Sequence, residues 1–227
     1  MRTDETMRSK HARAMSIPNA VTRLGLGVLV LVLAGCGSLF ESELPVPTRY
    51  VIAPPPPAEA IVESPASQTD LAIGRPDVAP GLDSERIAVL RGHELDYYRG
   101  ALWGGTVTDT VQAFMVAALQ DQKRFRSVAA EQARIAGHYI LDIEVRDFQS
   151  EYASAGALPV ARVTLVGRLI RIADRRLVGT ISGTASQQAR ENRLSSVAEA
   201  FQTAMRQVSL ELDEKTAALV AGDAGSR

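Results

Sequence analysis

The chain has 227 residues, with 25 Lys and Arg against 26 Asp and Glu for a formal charge of −1, and 46% of it is hydrophobic. That near-neutral balance gives no basic footprint for nucleic acid. A single cysteine excludes an internal disulfide, so the fold must rest on its apolar core.

The first segment reads as a targeting signal, not part of a fold. Arg8, Lys10, Arg13 and Arg23 oppose only Asp4 and Glu5, and the twelve-residue apolar stretch 24–35 follows. Twelve is well short of the roughly 20 residues that span a bilayer as a helix. Residues 1–35 therefore read as a signal peptide. The run Leu33-Ala34-Gly35-Cys36 closing it resembles the bacterial lipoprotein signal. That resemblance implies cleavage between Gly35 and Cys36, a diacylglycerol on the Cys36 thiol and a fatty acid such as palmitate on the new amine. A plain signal peptide with a chance cysteine, or a buried free thiol, is the alternative. Two or more acyl chains hold a protein stably to a membrane where one is marginal. Gly37 stands where aspartate is the usual inner-membrane retention signal, which implies export to the periplasmic face of the outer membrane.

Without residues 1–35 the mature chain holds 20 Lys and Arg against 24 Asp and Glu. Nine of the eleven prolines lie between Pro45 and Pro80, including the run 54–57, and only Pro159 comes later. Residues 36–70 are therefore expected to be a lipidated proline-rich tether, a semi-rigid spacer. Within it 48–52, Thr-Arg-Tyr-Val-Ile, is a candidate strand.

A domain is expected over 71–221, with a disordered tail at 222–227. Its apolar runs 71–74 and 86–91 read as buried strands, and the aromatic segment 94–103 as another after a turn at Gly92-His93. From Thr106 the spacing of Val107, Val111, Phe114, Met115 and Ala118 predicts an amphipathic helix ending near Gln122. A short strand is expected at 125–128. Tyr139, Leu141, Ile143 and Val145 then alternate with Asp142, Glu144 and Arg146, the pattern of a half-buried strand. Together with 163–169 and 177–184 it makes a three-stranded antiparallel meander. Ser196 and Glu199 have capping-box spacing ahead of a long helix whose stripe is Val197, Phe201, Ala204, Val208, Leu212 and Leu219. The order predicts an α+β fold, a mixed, largely antiparallel sheet with two helices packed on one face.

Groups for catalysis are sparse. His93 and His138 are the histidines of the mature chain, neither near a metal-ligand cluster, so no metal and no catalytic residue is expected. Neither a Gly-x-Ser-x-Gly elbow nor a P-loop occurs. The glycines of 100–105 read as turn formers, and Asp142 and Glu144 as a solvated strand face. Tyr97, Tyr98 and Trp103 form the aromatic cluster with the character of a contact surface, since aromatics bury much area with few rotors. The alternative for Trp103 is burial under the first helix.

The lipobox cysteine, Thr48-Arg-Tyr-Val-Ile-Ala-Pro-Pro55, and Glu94-Leu-x-Tyr97-Tyr98 followed by Trp103 and an amphipathic helix together resemble the ABC-type transport auxiliary lipoproteins. That family includes the paraquat-inducible lipoprotein. The resemblance implies a fold similar to the N-terminal domain of the translocation protein TolB and a non-enzymatic role without a soluble cofactor. The implied partners are a mammalian-cell-entry-type protein and an ABC permease and ATPase moving lipid or another hydrophobic compound between membranes. Self-association into a homo-oligomer is left open. The competing reading is an outer-membrane lipoprotein that regulates a cell-envelope synthase or secretion pore.

Overall fold

Alternation along 139–145 puts Tyr139, Leu141, Ile143 and Val145 on one face, and all four are buried. In the computed structural model, which describes residues 46–54, 68–133 and 137–225, that strand is the hub of the sheet. The elements run β1 (Thr48–Tyr50), β2 (Asp70–Ile73), β3 (Asp77–Val78), β4 (Arg86–Arg91), β5 (Glu94–Trp103), α1 (Val107–Asp121) and β6 (Ser127–Ala130). A 3-10 turn (Glu131–Ala133), β7 (Tyr139–Glu151), β8 (Val160–Arg171), β9 (Arg176–Gln188) and α2 (Leu194–Gly225) complete them.

Along one side β7 pairs antiparallel with β8 over its whole length, and β8 with β9. Along the other it takes three short parallel strands in succession: β2 beside Tyr139–Leu141, β3 beside Glu144–Val145, and β4 beside Ser150–Glu151. Beyond β2 lies β6, and beyond β4 lie β5 and then β1. The result is the expected mixed α+β architecture, a curled sheet of nine strands whose long ladders are antiparallel.

One irregularity fixes which side chains reach the core. Val145 lies opposite Leu165 but Asp147 opposite Thr164, so β7 carries one extra residue, a β-bulge. Parity flips there. Beyond it the apolar side chain sent into the core is the even-numbered Phe148, with Gln149 and Ser150 buried beside it, and strict alternation ends at Val145.

Both helices pack on the same sheet face, where Phe114 and Met115 of α1 and Phe201 and Met205 of α2 share one core with Leu141 and Val163. Thr106 caps α1, its hydroxyl accepting from the Asp109 N–H. α2 lies close on β9 because the strand gives it room. A Cβ at Gly183 would sit 2.6 Å from Leu212 Cδ1, and one at Gly179 2.8 Å from Leu219 Cδ2. Two buried carboxylates tie α2 down. Asp223, 1% exposed, accepts from Tyr139 Oη at 2.7 Å and pairs with Arg171 at 3.3 Å and with Arg176. Asp213 lies 2.6 Å from Arg124 Nε, although the N–H is not aimed at either carboxylate oxygen.

Three boundaries differ from expectation. Thr48–Tyr50 pairs in parallel with Ala101–Trp103, so the domain begins before residue 71, inside the expected tether. α2 starts at Leu194, ahead of Ser196, whose buried hydroxyl accepts from Arg193 Nε at 3.4 Å instead of capping the helix. It also runs to Gly225, through residues expected in the tail. Gly35, Cys36, Gly37 and most of the proline-rich segment lie outside the described residues. Among those described, no helix is long and apolar enough to cross a membrane.

Candidate interaction site

The aromatic segment 94–103 forms β5, but the three aromatics singled out from the sequence go to three places. Trp103 is 1% exposed, packed edge-on against Phe148 and Phe201 with ring centroids 5.8 and 5.1 Å away. It belongs to the core, which corrects its placement in a contact surface. Tyr97 and Tyr98 part because neighbouring residues of a strand point to opposite faces, and beyond Tyr97 β5 bulges widely. Tyr97 pairs with Ala88 and Leu102 with Arg86, so residues 98–101 stand opposite one residue of β4. Gly100 makes this excursion in the left-handed region (φ +69°), where a side chain is strained. Tyr97 turns to one side, donating to the Gly81 carbonyl at 2.7 Å beneath the Arg86 guanidinium, 3.6 Å from its ring centre.

Tyr98 turns to the other side and begins a hydroxyl network. Its Oη lies 2.8 Å from Ser150 Oγ and 3.2 Å from Tyr152 Oη, and Tyr152 donates to Asn192 Oδ1 at 2.8 Å. Four elements supply these groups: β5, the end of β7, the loop after it and the loop before α2. Burial, the largest cause, pushes the Tyr98 hydroxyl well above its ordinary value, so it stays protonated and serves as a donor. Arg91, at the end of β4, places its guanidinium 5.3 Å from the Tyr152 ring centre, a cation–π contact.

These residues wall two adjoining clefts on either side of Tyr152. The larger, about 510 Å³, is lined by Arg91, Tyr152, Asn192 and the loop 153–156. The smaller, about 310 Å³, lies against Leu90, Val160 and Arg162, whose Nε donates to Glu151 at 2.8 Å. The side chains of Arg91, Tyr152 and Asn192 offer the larger cleft hydrogen bonding, stacking and one positive charge. Among the described residues no three His, Cys, Asp or Glu side chains are grouped to hold a metal. His93 lies in the β4–β5 turn, next to the cleft-lining Gly92, and His138 accepts from the Asp70 N–H at 3.1 Å. Glu144 pairs with Arg146 at 2.8 Å and Arg168 at 3.6 Å on the outer sheet face.

Sequence reasoning found Tyr98 but missed Tyr152, Asn192 and Arg91. Those three are separated in sequence and carry no motif; the run of small residues Ala153-Ser-Ala-Gly156 beside a lone tyrosine was the one local signal. A third, apolar concavity of about 350 Å³ lies between β1 and α1, lined by Tyr50, Ile52, Pro54, Ala113 and Phe114.

Comparison with known proteins bears on the whole domain. A family model described as "ABC-type transport auxiliary lipoprotein component" matches residues 50–212. The crystal structure of protein XCC0632 from Xanthomonas campestris is similar, with 32% identity and a TM-score of 0.68, covering 79% of this chain and 98% of that one. An uncharacterized protein of known structure shares the fold at 12% identity and a TM-score of 0.60, covering 76% and 99%. The PelC dodecamer from Paraburkholderia phytofirmans aligns at 17% identity and a TM-score of 0.41, covering 64% and 90%. No curated protein matches the chain.

Proposed function

The chain belongs to the family of ABC-type transport auxiliary lipoprotein components, and from that premise we propose that it is a lipid-anchored, non-enzymatic docking protein of an intermembrane lipid transporter. Cys36 carries the anchor, a diacylglycerol and an amide-linked acyl chain, and holds the domain at the periplasmic face of the outer membrane. The partners are a mammalian-cell-entry-type protein and the ABC permease and ATPase.

Family membership over residues 50–212 is the observation that carries this reading. The cleft walled by Tyr152, Arg91 and Asn192 supplies the docking surface, in place of a joint Tyr97–Tyr98–Trp103 surface. Tyrosine and arginine are the residues enriched where interfaces concentrate their binding energy, and here a fixed hydroxyl network holds the tyrosine in position.

Two variants of the full-length protein test it in the native cell envelope. Cys36→Ala is expected to release the domain from the membrane fraction. Tyr152→Ala combined with Arg91→Glu is expected to abolish co-purification of the mammalian-cell-entry-type protein while the unfolding midpoint of the remaining fold stays measurable and cooperative. Retained co-purification in the double variant removes the cleft as the docking surface. A membrane-bound Cys36→Ala variant removes the anchor.

A further inference from the structure

Among the described residues, the open edges of the sheet are unequal. β1 and β6 close it with three and four residues, whereas β9 is an edge of thirteen. From Leu177 to Gln188 β9 has no charged residue and no proline, which are devices that commonly keep exposed edges from pairing.

Two hydrogen bonds show which backbone groups face outward. The Ala189 N–H donates to the Pro159 carbonyl at 2.8 Å. By the two-residue period of an antiparallel ladder, the odd positions of β9 then bond to β8. The N–H and C=O groups of Thr180, Ser182, Thr184, Ser186 and Gln188 therefore point away from the sheet. Lys215 of α2 agrees, since its ammonium reaches the Ser182 carbonyl at 2.7 Å from that side. The Gln187 side-chain amide takes the Gln188 carbonyl at 3.2 Å. Among the described residues, no side chain reaches the outward groups of Thr184 and Ser186 between these two.

That outward row reads nearly the same in both directions about its middle: Thr180, Ser182, Thr184, Ser186, Gln188. We propose that β9 is a self-pairing edge, joining two copies of this chain antiparallel about a two-fold axis at Thr184. Thr184 then faces Thr184 of the second copy and exchanges both backbone hydrogen bonds with it, while each Ser182 faces a Ser186. Ser182 keeps one carbonyl lone pair for Lys215. Small side chains along the row, with Gly183 and Ala185 between them, leave the second strand room to approach. The symmetry of the row is what favours a second copy over an unrelated extended segment, which would have no use for it. Such an interface is isologous and closes on itself. It stands independently of the docking reading above.

The test uses the full-length lipoprotein in its membrane, oxidised under conditions in which the wild-type chain, with Cys36 alone, gives the baseline. Thr184→Cys is expected to form a disulfide-linked dimer, because the Cα atoms of a hydrogen-bonded pair lie about 5.5 Å apart, within disulfide range. Thr180→Cys alone is expected to stay at baseline, and Thr180→Cys with Gln188→Cys to crosslink. Thr184→Lys, extracted in detergent, is expected to sediment as a monomer at a concentration where the wild type is a dimer, with an unchanged circular dichroism spectrum. A monomeric wild type overturns the proposal. So does equal crosslinking by Thr180→Cys alone, which would mean a different register, or a Thr184→Cys adduct to another protein, which would mean a foreign strand.

Discussion

Asp213→Asn should change how stability responds to pH, because the variant lacks a buried carboxyl that must ionise. Asp213 is 1% exposed on α2, and its charged neighbours are Arg124 at 2.6 Å and Glu214, which itself pairs with Arg124 at 3.7 Å. Burial dominates over the arginine and pushes its carboxyl from 3.8 up to about 6. The folded state thus holds this proton more tightly than the unfolded chain does. Between those values the folded state carries more protons, so stability is lost as pH rises through the window. At 1.36 kcal/mol per pKa unit the full loss is about 3 kcal/mol, of which about 2 kcal/mol falls between about pH 4.5 and about pH 7.5. Asp70 works in the opposite sense outside that window. Its hydrogen bond from Arg126 lowers its carboxyl to about 2, so its contribution disappears only as pH falls from 3.8 toward that value. Urea unfolding of wild type and Asp213→Asn at the two pH values, followed by far-UV circular dichroism, isolates the difference. The stability gap between the two proteins should move by about 2 kcal/mol in favour of the variant on going to the higher pH. Parallel profiles, with the gap constant to within about 0.5 kcal/mol, would refute the assignment of a buried, costly charge.

Trp103→Phe should cost less than its size change suggests. The Trp103 Nε1–H is buried without a partner, so the substitution removes an unsatisfied donor together with some packing. The expected loss is under about 1.5 kcal/mol, against about 3–5 kcal/mol for Trp103→Ala, by chemical denaturation; equal losses would contradict this. Asp223→Ala should destabilise by about 3–5 kcal/mol, since it removes the buried acceptor of Tyr139 and leaves Arg171 with only the half-exposed Asp174 as counter-charge. A double Asp223→Ala/Arg171→Met variant should recover part of that loss in the same assay, and no recovery would contradict the charge argument.

The strands and helices were legible because their apolar patterns are local. The alternation in 139–145 and the 3.6-residue stripes of α1 and α2 each follow from burying one face. What was not legible depended on partners distant in sequence. The extra residue in β7 after Val145 is visible only against β8, and it is what sends Phe148 inward. β3 has two residues and no pattern of its own; it is a strand because β7 lies beside it. The same holds for the site. Tyr97 and Tyr98 look equivalent in sequence, but as strand neighbours they face opposite ways, and only distant partners, Gly81 for one and Ser150 for the other, decide which joins the cleft. Trp103 continues the aromatic run yet ends against Phe201, almost one hundred residues later, in α2. Tyr152 gained its partners through loops that carry no periodicity at all.

The dependence of β2, β3 and β4 on a single later strand has a consequence for delivery across a membrane. Members of a lipoprotein family are exported, and a chain crossing amino-terminus first exposes residues 46–133 before β7 follows. Of the pairings available to that portion, β4 with β5, β1 with β5 and β2 with β6 form only short ribbons. Such ribbons without a completed face are marginal in water. The first half therefore cannot complete its sheet until the strand that receives all three has come through.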